Sequence, residues 1–391
     1  MSELLESRWT ETKDALLEGL DGNKKSVMAA TLENTRKYLS ESATAGATSA
    51  GNVATLNRVI LPVIRRVMPT VIANELVGVQ PMTGPVGQIH TLRVRYAEVF
   101  NADGGTDTAA GEEALSPFKI AEGYSGAADD KAATTAALEG QAGRKLSIQI
   151  LKQTVEAKSR KLSARWTFEA AQDAQSMHGI DVEAEIMAAL AQEITAEIDQ
   201  EVLASLSSLA GNAAETYDQA AVSGTATFVG DEHAALAVQI NRVANLIAQR
   251  TRRGAGNYAV VSPFALTILQ SATTSAFART TEGTFEAPTN TKMVGTLNNA
   301  MKVYVNTYSA DADAVLVGYK GASESDAPAF YCPYIPLMSS GVVLDPSTFE
   351  PTVSFMTRYG YVELSNTASS LGNAADYLGK VAITNGNVSF S

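Results

Sequence analysis

The residues that come nearest to a chemical motif are Gly254 and Gly256, which follow Arg250, Arg252 and Arg253. A phosphate-binding loop places such glycines after a strand and before a helix, because the N–H groups at the helix start then face the phosphate. Here the order is reversed: apolar spacing predicts a helix before the glycines and a short strand after them. The arginines therefore fall at a helix C-terminus, where the helix dipole favours cations. This segment does not predict a phosphate site.

Side chains that bind metals or act as nucleophiles are scattered. The three histidines, His90, His178 and His233, lie far apart and have no cysteine or glutamate partner at a characteristic spacing. A zinc site or a histidine-based triad depends on such partners. Asp311 and Asp313 flank an alanine in a predicted turn, where we expect them to be solvated. We predict no catalytic residue, no bound metal and no cofactor, and hence a protein that is not an enzyme.

Charged side chains form two clusters of opposite sign. The basic cluster lies along a predicted strand segment and consists of Lys152, Lys158, Arg160, Lys161 and Arg165. The acidic cluster lies on a predicted helix and consists of Asp181, Glu183, Glu185, Glu193, Glu197, Asp199 and Glu201. Each could be a solvated surface. The sharper hypothesis is that the basic residues meet the acidic face of a long helix, including that of a neighbouring subunit. The inter-subunit contacts that it predicts are Lys158, Arg160, Lys161, Arg165, Glu183, Glu193 and Glu197.

The acidic cluster lies on the longest helical signal in the sequence, residues 167–210. Apolar residues recur every four positions from Ile186 to Leu206, which predicts one buried stripe. The pair His178-Gly179 interrupts the signal, and Asp181 is a residue type that caps a new helix. We therefore predict a short helix, a kink and a long helix of roughly 40 Å.

The other segments predict a mixture of helices and strands. Helical spacing over residues 3–20 and 24–40 predicts an N-terminal arm, which is tethered by a linker of small residues ending at position 52. Two strand-like segments, 90–100 and 145–167, flank a stretch poor in large hydrophobic residues and predict a projecting hairpin. The tail contains two strand-like segments, 353–364 and 378–384, and both are expected to return to the first sheet.

Composition limits the functional classes. The chain has 391 residues. Its net charge of −12 argues against a protein whose main function is to bind nucleic acid. Its single cysteine excludes an internal disulfide framework. The polar, acidic N-terminus is unlike a secretory signal, and no stretch is apolar enough for a membrane span. A soluble cytoplasmic product is expected.

Several separate blocks of the sequence resemble one family, the major capsid proteins of contractile-tailed phages of the T-even type. They occur in the family's order at residues 63–89, 159–186, 252–262, 317–321, 326–337 and 349–360. The resemblance implies an α+β protein with the HK97-type (Johnson) fold, which has a peripheral domain, a long spine helix, an axial domain, an extended loop and an N-terminal arm. The boundaries it implies are 1–52 for the arm and linker, 53–89 for the start of the peripheral domain, 90–166 for the extended loop, 167–227 for the spine helix, 228–343 for the axial domain and 344–391 for the return to the peripheral domain.

The resemblance also implies a function. Copies of such a protein self-assemble into hexamers and pentamers of an icosahedral head shell that encloses double-stranded DNA without sequence-specific binding. The implied partners are other copies, a portal protein at one vertex, and scaffolding, decoration or cement proteins; no membrane is involved. Expected localisation is the virion, after assembly in the bacterial cytoplasm. Family members often lose an N-terminal segment by cleavage after a glutamate, and Glu41 is the candidate position. An encapsulin-like nanocompartment shell and a soluble α/β enzyme are the alternatives.

Overall fold

The computed structural model describes residues 9, 13, 17, 22, 25–34, 72–99, 109–112, 114, 134–139, 145–178, 181–218, 229–272, 277–279, 292–308, 314–348, 350–364 and 373–384. The chain divides into two compact units. The first unit comprises Met1–Gly87, Val155–Ser205 and Ala329–Val362. The second unit comprises Gln88–Thr154, Leu206–Pro328 and Glu363–Ser391.

Helices and strands both contribute to the fold, which confirms the predicted α+β class. The α-helices are α1 (Ala73–Leu76), α2 (Thr135–Leu138), α3 (Phe168–His178), α4 (Val182–Ala210), α5 (Val229–Thr251) and α6 (Pro263–Ser271), and residues 25–34 are also helical. The strands are β1 (Gly78–Val79), β2 (Val86–Tyr96), β3 (Leu146–Glu156), β4 (Lys158–Arg165), β5 (Glu215–Asp218), β6 (Tyr258–Val261), β7 (Phe277–Arg279), β8 (Lys292–Leu297), β9 (Met301–Val305), β10 (Ala314–Gly318), β11 (Ala329–Ser339), β12 (Val343–Leu344), β13 (Pro351–Glu363) and β14 (Leu378–Thr384).

The predicted pair of helices is confirmed in α3 and α4. Helix α4 has 29 residues, and its first turn is capped by Asp181, whose carboxylate accepts hydrogen bonds from the N–H groups of Glu183 and Ala184 at 3.1 and 3.4 Å. The predicted stripe is buried because its side chains recur on one helix face. Its members with 8% exposure or less are Met187, Leu190, Ile194, Ile198, Val202, Leu203 and Leu206.

The first unit contains a five-stranded sheet in which the order is β1-β11-β13-β12 and β4 also pairs with β13. Strands β4 and β13 are antiparallel, with a register that runs from Arg165 opposite Thr352 to Lys158 opposite Tyr359. Alternate residues of β13 are buried, since one face of the sheet belongs to the core.

The second unit is an α/β arrangement around a seven-stranded sheet of order β5-β14-β10-β6-β9-β8-β7. Its core joins the apolar side of α5 to the inner strands, and Leu236, Ile240 and Ile247 are fully buried there. Helix α6 begins with Pro263 after Ser262, whose hydroxyl accepts a hydrogen bond from the Ala265 N–H at 3.2 Å. The unit also includes β2 and β3, which form a separate two-stranded sheet.

The structure differs from the predicted domain boundaries at two strands. Strand β14 was expected to return to the first sheet, but it pairs with β10 and β5 in the sheet of the second unit. Strand β11 lies within the segment 228–343 assigned to the axial domain, but it pairs with β1 in the first unit. Alternation of apolar residues marks a half-buried strand without saying which sheet the strand joins.

The strand-like segment 145–167 is also more finely divided than predicted. It forms two strands that are divided at Ala157 and have different partners, since β3 pairs with β2 whereas β4 pairs with β13. Several predictions lie outside the described residues: the linker before position 52, the helix expected after it, Glu41, Asp311 and Asp313.

Candidate functional site

The most connected cluster of charged and aromatic side chains joins β4 to α4. Arg160 forms ion pairs with Glu197 and, at 2.5 Å, with Glu201. The Arg160 guanidinium also donates to the Tyr359 hydroxyl and lies 5.8 Å from the centre of that ring. Tyr359 in turn donates to Glu201. Arg160 therefore meets the acidic face of the long helix within its own chain.

Two periodicities place these side chains together. Glu197 and Glu201 are four residues apart, so they lie on the same side of α4. Arg160 is opposite Thr357 in the register of β4 and β13, and Tyr359 is the next residue of β13 on that face. The guanidinium is planar and has several N–H donors, so it can bind both carboxylates at once. The cluster fixes the position of β4 against α4.

Tyr359 is a buried member of the cluster. Burial raises the pKa of Tyr359, and the hydrogen bond to Glu201 raises that pKa further. The ring lies 5.3 Å from that of Tyr331, which is also buried, and burial raises the pKa of Tyr331 as well. Both phenols remain protonated at neutral pH and act as hydrogen-bond donors and packing groups.

Asp199 was expected to be part of a solvated acidic face, and the structure corrects this. Its side chain is only 5% exposed, and its carboxylate accepts a hydrogen bond from the Ile72 N–H at 2.8 Å. Burial raises the pKa of Asp199 to about 7, although the Ile72 hydrogen bond acts in the opposite direction. The sequence shows that Asp199 lies on the helix but not that the Ile72 N–H, just before α1, binds its carboxylate.

Lys161 and Arg165 lie on the other face of β4. Successive side chains of a strand point to opposite faces, so the neighbours of Arg160 point away from α4. Arg165 is 73% exposed and lies 3.6 Å from Glu350, a loose ion pair. Beside it an open groove of about 480 Å³ has Lys161, Ser163 and Ser354 among its lining residues.

The remaining predicted contact residues do not converge on this cluster. Lys158 and Glu193 are exposed, and Glu183 is half-buried near the start of α4. Within the described ranges none of these three, nor Lys161, forms an ion pair. Of the seven residues predicted to make contacts between subunits, the structure joins Arg160 to Glu197 and Arg165 to Glu350. The predicted contacts between copies remain a hypothesis.

The glycine-arginine segment has a packing role. A Cβ atom at Gly254 would lie 2.6 Å from the ring of Tyr319, and one at Gly256 would lie 2.9 Å from Val317. Arg253 forms an ion pair with Asp326 at 2.7 Å. The glycines allow the chain to leave α5 and pass close to β10.

His233 and Cys332 are two further candidate groups that the structure describes. His233 contacts Ser271 through Nδ1, and burial lowers the pKa of His233. Burial also raises the pKa of Cys332 to about 11, so its thiol stays protonated. No cluster of three or more histidine, cysteine or acidic side chains occurs in the part of the chain that the structure describes. None of the described helices is both long and apolar enough to cross a membrane.

The two-stranded sheet of β2 and β3 exposes a row of large apolar side chains. Leu146, Ile148 and Ile150 alternate along β3 and are 54%, 68% and 66% exposed, and Leu92 on β2 is 65% exposed. Apolar surface of this extent usually marks a protein contact.

The exposed apolar row on β2 and β3 is typical of one class of protein, those that contact other protein chains. The particular family of this chain follows from comparison with known proteins. Residues 53–383 match the family described as Major capsid protein Gp23, and the chain belongs to that family. The presence of both helices and strands agrees with the α+β class that the sequence blocks imply.

Curated relatives support this assignment. The major capsid protein of Vibrio phage KVP40 is 29% identical over 417 residues, covering 84% of this chain and 80% of the relative. That of Enterobacteria phage T4 is 29% identical over 411 residues, covering 83% and 78%.

Similar solved structures include the asymmetric unit of the mature capsid of bacteriophage PhiM1 (13% identity, TM-score 0.45, covering 79% of this chain and 85% of that one). The capsid structure of cyanophage P-SCSP1u has 11% identity and a TM-score of 0.46, covering 81% and 89%. At TM-scores below 0.5 the likeness is loose, so the assignment rests on the family match.

Proposed function

We propose that this protein is the major structural subunit of a phage head shell. Copies assemble into hexamers and pentamers that close into an icosahedral particle around double-stranded DNA, and the protein resides in the virion after assembly in the bacterial cytoplasm. The family match over residues 53–383 carries this proposal. The role is geometric and structural, with no reaction assigned to it.

The exposed face of β2 and β3 supports self-association. Burying a leucine or isoleucine side chain contributes roughly 1.5–3 kcal/mol. Leu92, Leu146, Ile148 and Ile150 would together contribute several kcal/mol at each contact, after the cost of ordering them. In the proposed shell this ribbon is the extended loop, and it covers a neighbouring copy.

The net negative charge supports an inner shell surface that encloses DNA without binding it tightly. The net charge of the chain is −12. Phosphate contacts depend on concentrated lysine and arginine, so an acidic surface favours release of the genome. A portal protein at one vertex and scaffolding, decoration or cement proteins complete the proposed set of partners.

Electron microscopy of the purified protein after expression in bacteria tests the proposal. Closed shells with hexamers and pentamers are the expected result, and shells recovered from infected cells should contain DNA. Shells that enclose a protein cargo would favour an encapsulin-like compartment. Dispersed subunits at every concentration would contradict a shell-forming role.

A further inference from the structure

The first-unit sheet has a second, solvent-facing side that carries cations. Lys161 and Arg165 lie on it, and the register pairs them with Met356 and Thr352 of β13. Between them Ser163 lies opposite Ser354. These cross-strand partners include no carboxylate. Glu350 lies 3.6 Å from Arg165 in a loose ion pair that leaves the arginine 73% exposed, and Lys161 has no ion-pair partner among the described residues.

The acidic face of α4 in the same chain meets Arg160 and not Lys161 or Arg165. Arg160 lies on the side of β4 that meets α4 and holds Glu197 and Glu201. Lys161 and Arg165 point away from that helix because strand residues alternate between faces. The helix carboxylates nearest to the chain's own β4 are therefore bound already by Arg160.

The first half of α4 presents a complementary surface. Glu185 and Glu193 are exposed, and eight helix residues at 1.5 Å separate them by about 12 Å. Lys161 and Arg165 are four strand residues apart, or about 13 Å. Ala189 is exposed and is four residues from each glutamate, so it lies between them on the helix surface and allows a strand to approach closely. The distance between the two glutamates is therefore close to the distance between Lys161 and Arg165, and the two pairs have opposite charges.

We propose that Lys161 and Arg165 form a docking surface for Glu185 and Glu193 on α4 of a second copy. The inference rests on the proposed shell function and assigns one contact within it. The two surfaces differ, so the contact is heterologous, and repeating a heterologous contact generates a ring of subunits when the rotation between neighbours closes. Val343 is 53% exposed and lies opposite Thr352, so it adds apolar surface beside the two cations.

Charge exchange tests this contact. We expect Lys161→Glu with Arg165→Glu to lower the yield of closed shells on the order of tenfold, because like charges would then face each other. Adding Glu185→Lys and Glu193→Lys to the same chain should restore the yield to within about twofold, since the pairing is regained with its sign reversed. Arg250→Glu with Arg252→Glu in the second unit makes the same change in net charge and should leave the yield unchanged.

Several outcomes would overturn the proposal while leaving the shell function intact. These are normal shell yield from the first double variant, no recovery in the quadruple variant, or equal loss in the Arg250 and Arg252 control. Normal shells with less DNA would identify the surface as a nucleic-acid contact instead. Failure of the wild-type chain to form shells would count against the proposed function itself. Circular dichroism checks folding; if the first variant does not fold, Lys161→Gln with Arg165→Gln takes its place, and normal shells from it overturn the contact.

Discussion

At the scale of single residues, Arg160 is the best-connected cation of the first unit. It binds Glu197, Glu201 and Tyr359, and its side chain is only 23% exposed. The two glutamates are 60% and 41% exposed, so water can solvate them when the arginine is removed. The cluster is therefore worth less than a fully buried ion pair.

We predict that Arg160→Met lowers the free energy of unfolding by about 1–2 kcal/mol, because hydrogen bonds to a charged group are lost in a half-buried setting. Urea denaturation of the soluble subunit measures this. Arg165→Met is the matched control, since its ion pair is longer and more exposed, and it should change the free energy by less than about 0.5 kcal/mol. Equal effects would show that Arg160 has no special stabilising role.

Asp199 contributes to the stability of the folded state in a pH-dependent way, and the sign of this contribution is unusual for a carboxylate. Its pKa in the folded chain is about 7, above its ordinary value of 3.8. The folded state therefore binds more protons than the unfolded state between about pH 4 and pH 7. The contribution to stability is most favourable below pH 4 and is lost as pH rises through 7.

We predict that Asp199→Asn removes this contribution. Asparagine stays neutral, and its carbonyl oxygen can accept the same Ile72 hydrogen bond. At pH 8 the variant should be more stable than the wild type by about 4 kcal/mol, since the pKa shift from 3.8 to about 7 is roughly three units at roughly 1.4 kcal/mol each. The two should be similar at pH 4. Urea unfolding across this range tests it, and Glu193→Gln, at an exposed position of α4, should leave the wild-type profile in place. A variant less stable at pH 8 contradicts the assignment.

At the scale of elements, the sheet of β2 and β3 is stabilised by a neighbouring copy in the proposed particle. A two-stranded ribbon alone is marginally stable, and this one exposes Ile148 and Ile150. Their side chains add little to the stability of the free subunit, because they remain in water there. Their contribution belongs to assembly.

We predict that Ile148→Ser with Ile150→Ser changes the melting temperature of the free subunit by less than about 2 °C but lowers the yield of closed shells on the order of tenfold. Scanning calorimetry and electron microscopy provide the two measurements. Val238→Ser, at a position of α5 with the same 65% exposure as Leu92, is the control and should assemble normally. Normal shells from the double variant would exclude the ribbon as a contact surface.

At the scale of the whole molecule, assembly and stability are coupled. Anything that binds the folded chain but not the unfolded chain stabilises the fold. Neighbouring copies in a shell are such partners, because the ribbon and the charged sheet side are both covered by them in the proposed particle. The free subunit is then the less stable form of the protein.

We predict that assembled shells melt at a temperature at least about 5 °C above that of the free subunit, measured by calorimetry at the same pH and salt. Disassembled and reassembled samples of one preparation serve as controls for chemical damage. Identical melting temperatures would mean that contacts between copies add no stability to the fold.

The sequence by itself determined the local elements and the family. The four-residue spacing in α4, the break after His178 and the cap at Asp181 need only neighbours along the chain, so they were predictable. The family blocks likewise depend on residue order alone. The alternation of Leu146, Ile148 and Ile150 in β3 was also readable from the sequence, whereas their exposure was not.

Only the tertiary structure decided which face each residue meets. The sequence grouped Arg160 with Lys161 and Arg165 as one basic cluster, whereas pairing with β13 sends Arg160 to α4 and the other two to the opposite side. It grouped Asp199 with its solvated neighbours, although Ile72, which is distant in sequence, covers it. The pairing of β14 with β10 and β5 in the second sheet likewise depends on segments that are distant in sequence. Periodicity fixes which side chains share a face, but the partner of that face comes from remote segments of the chain.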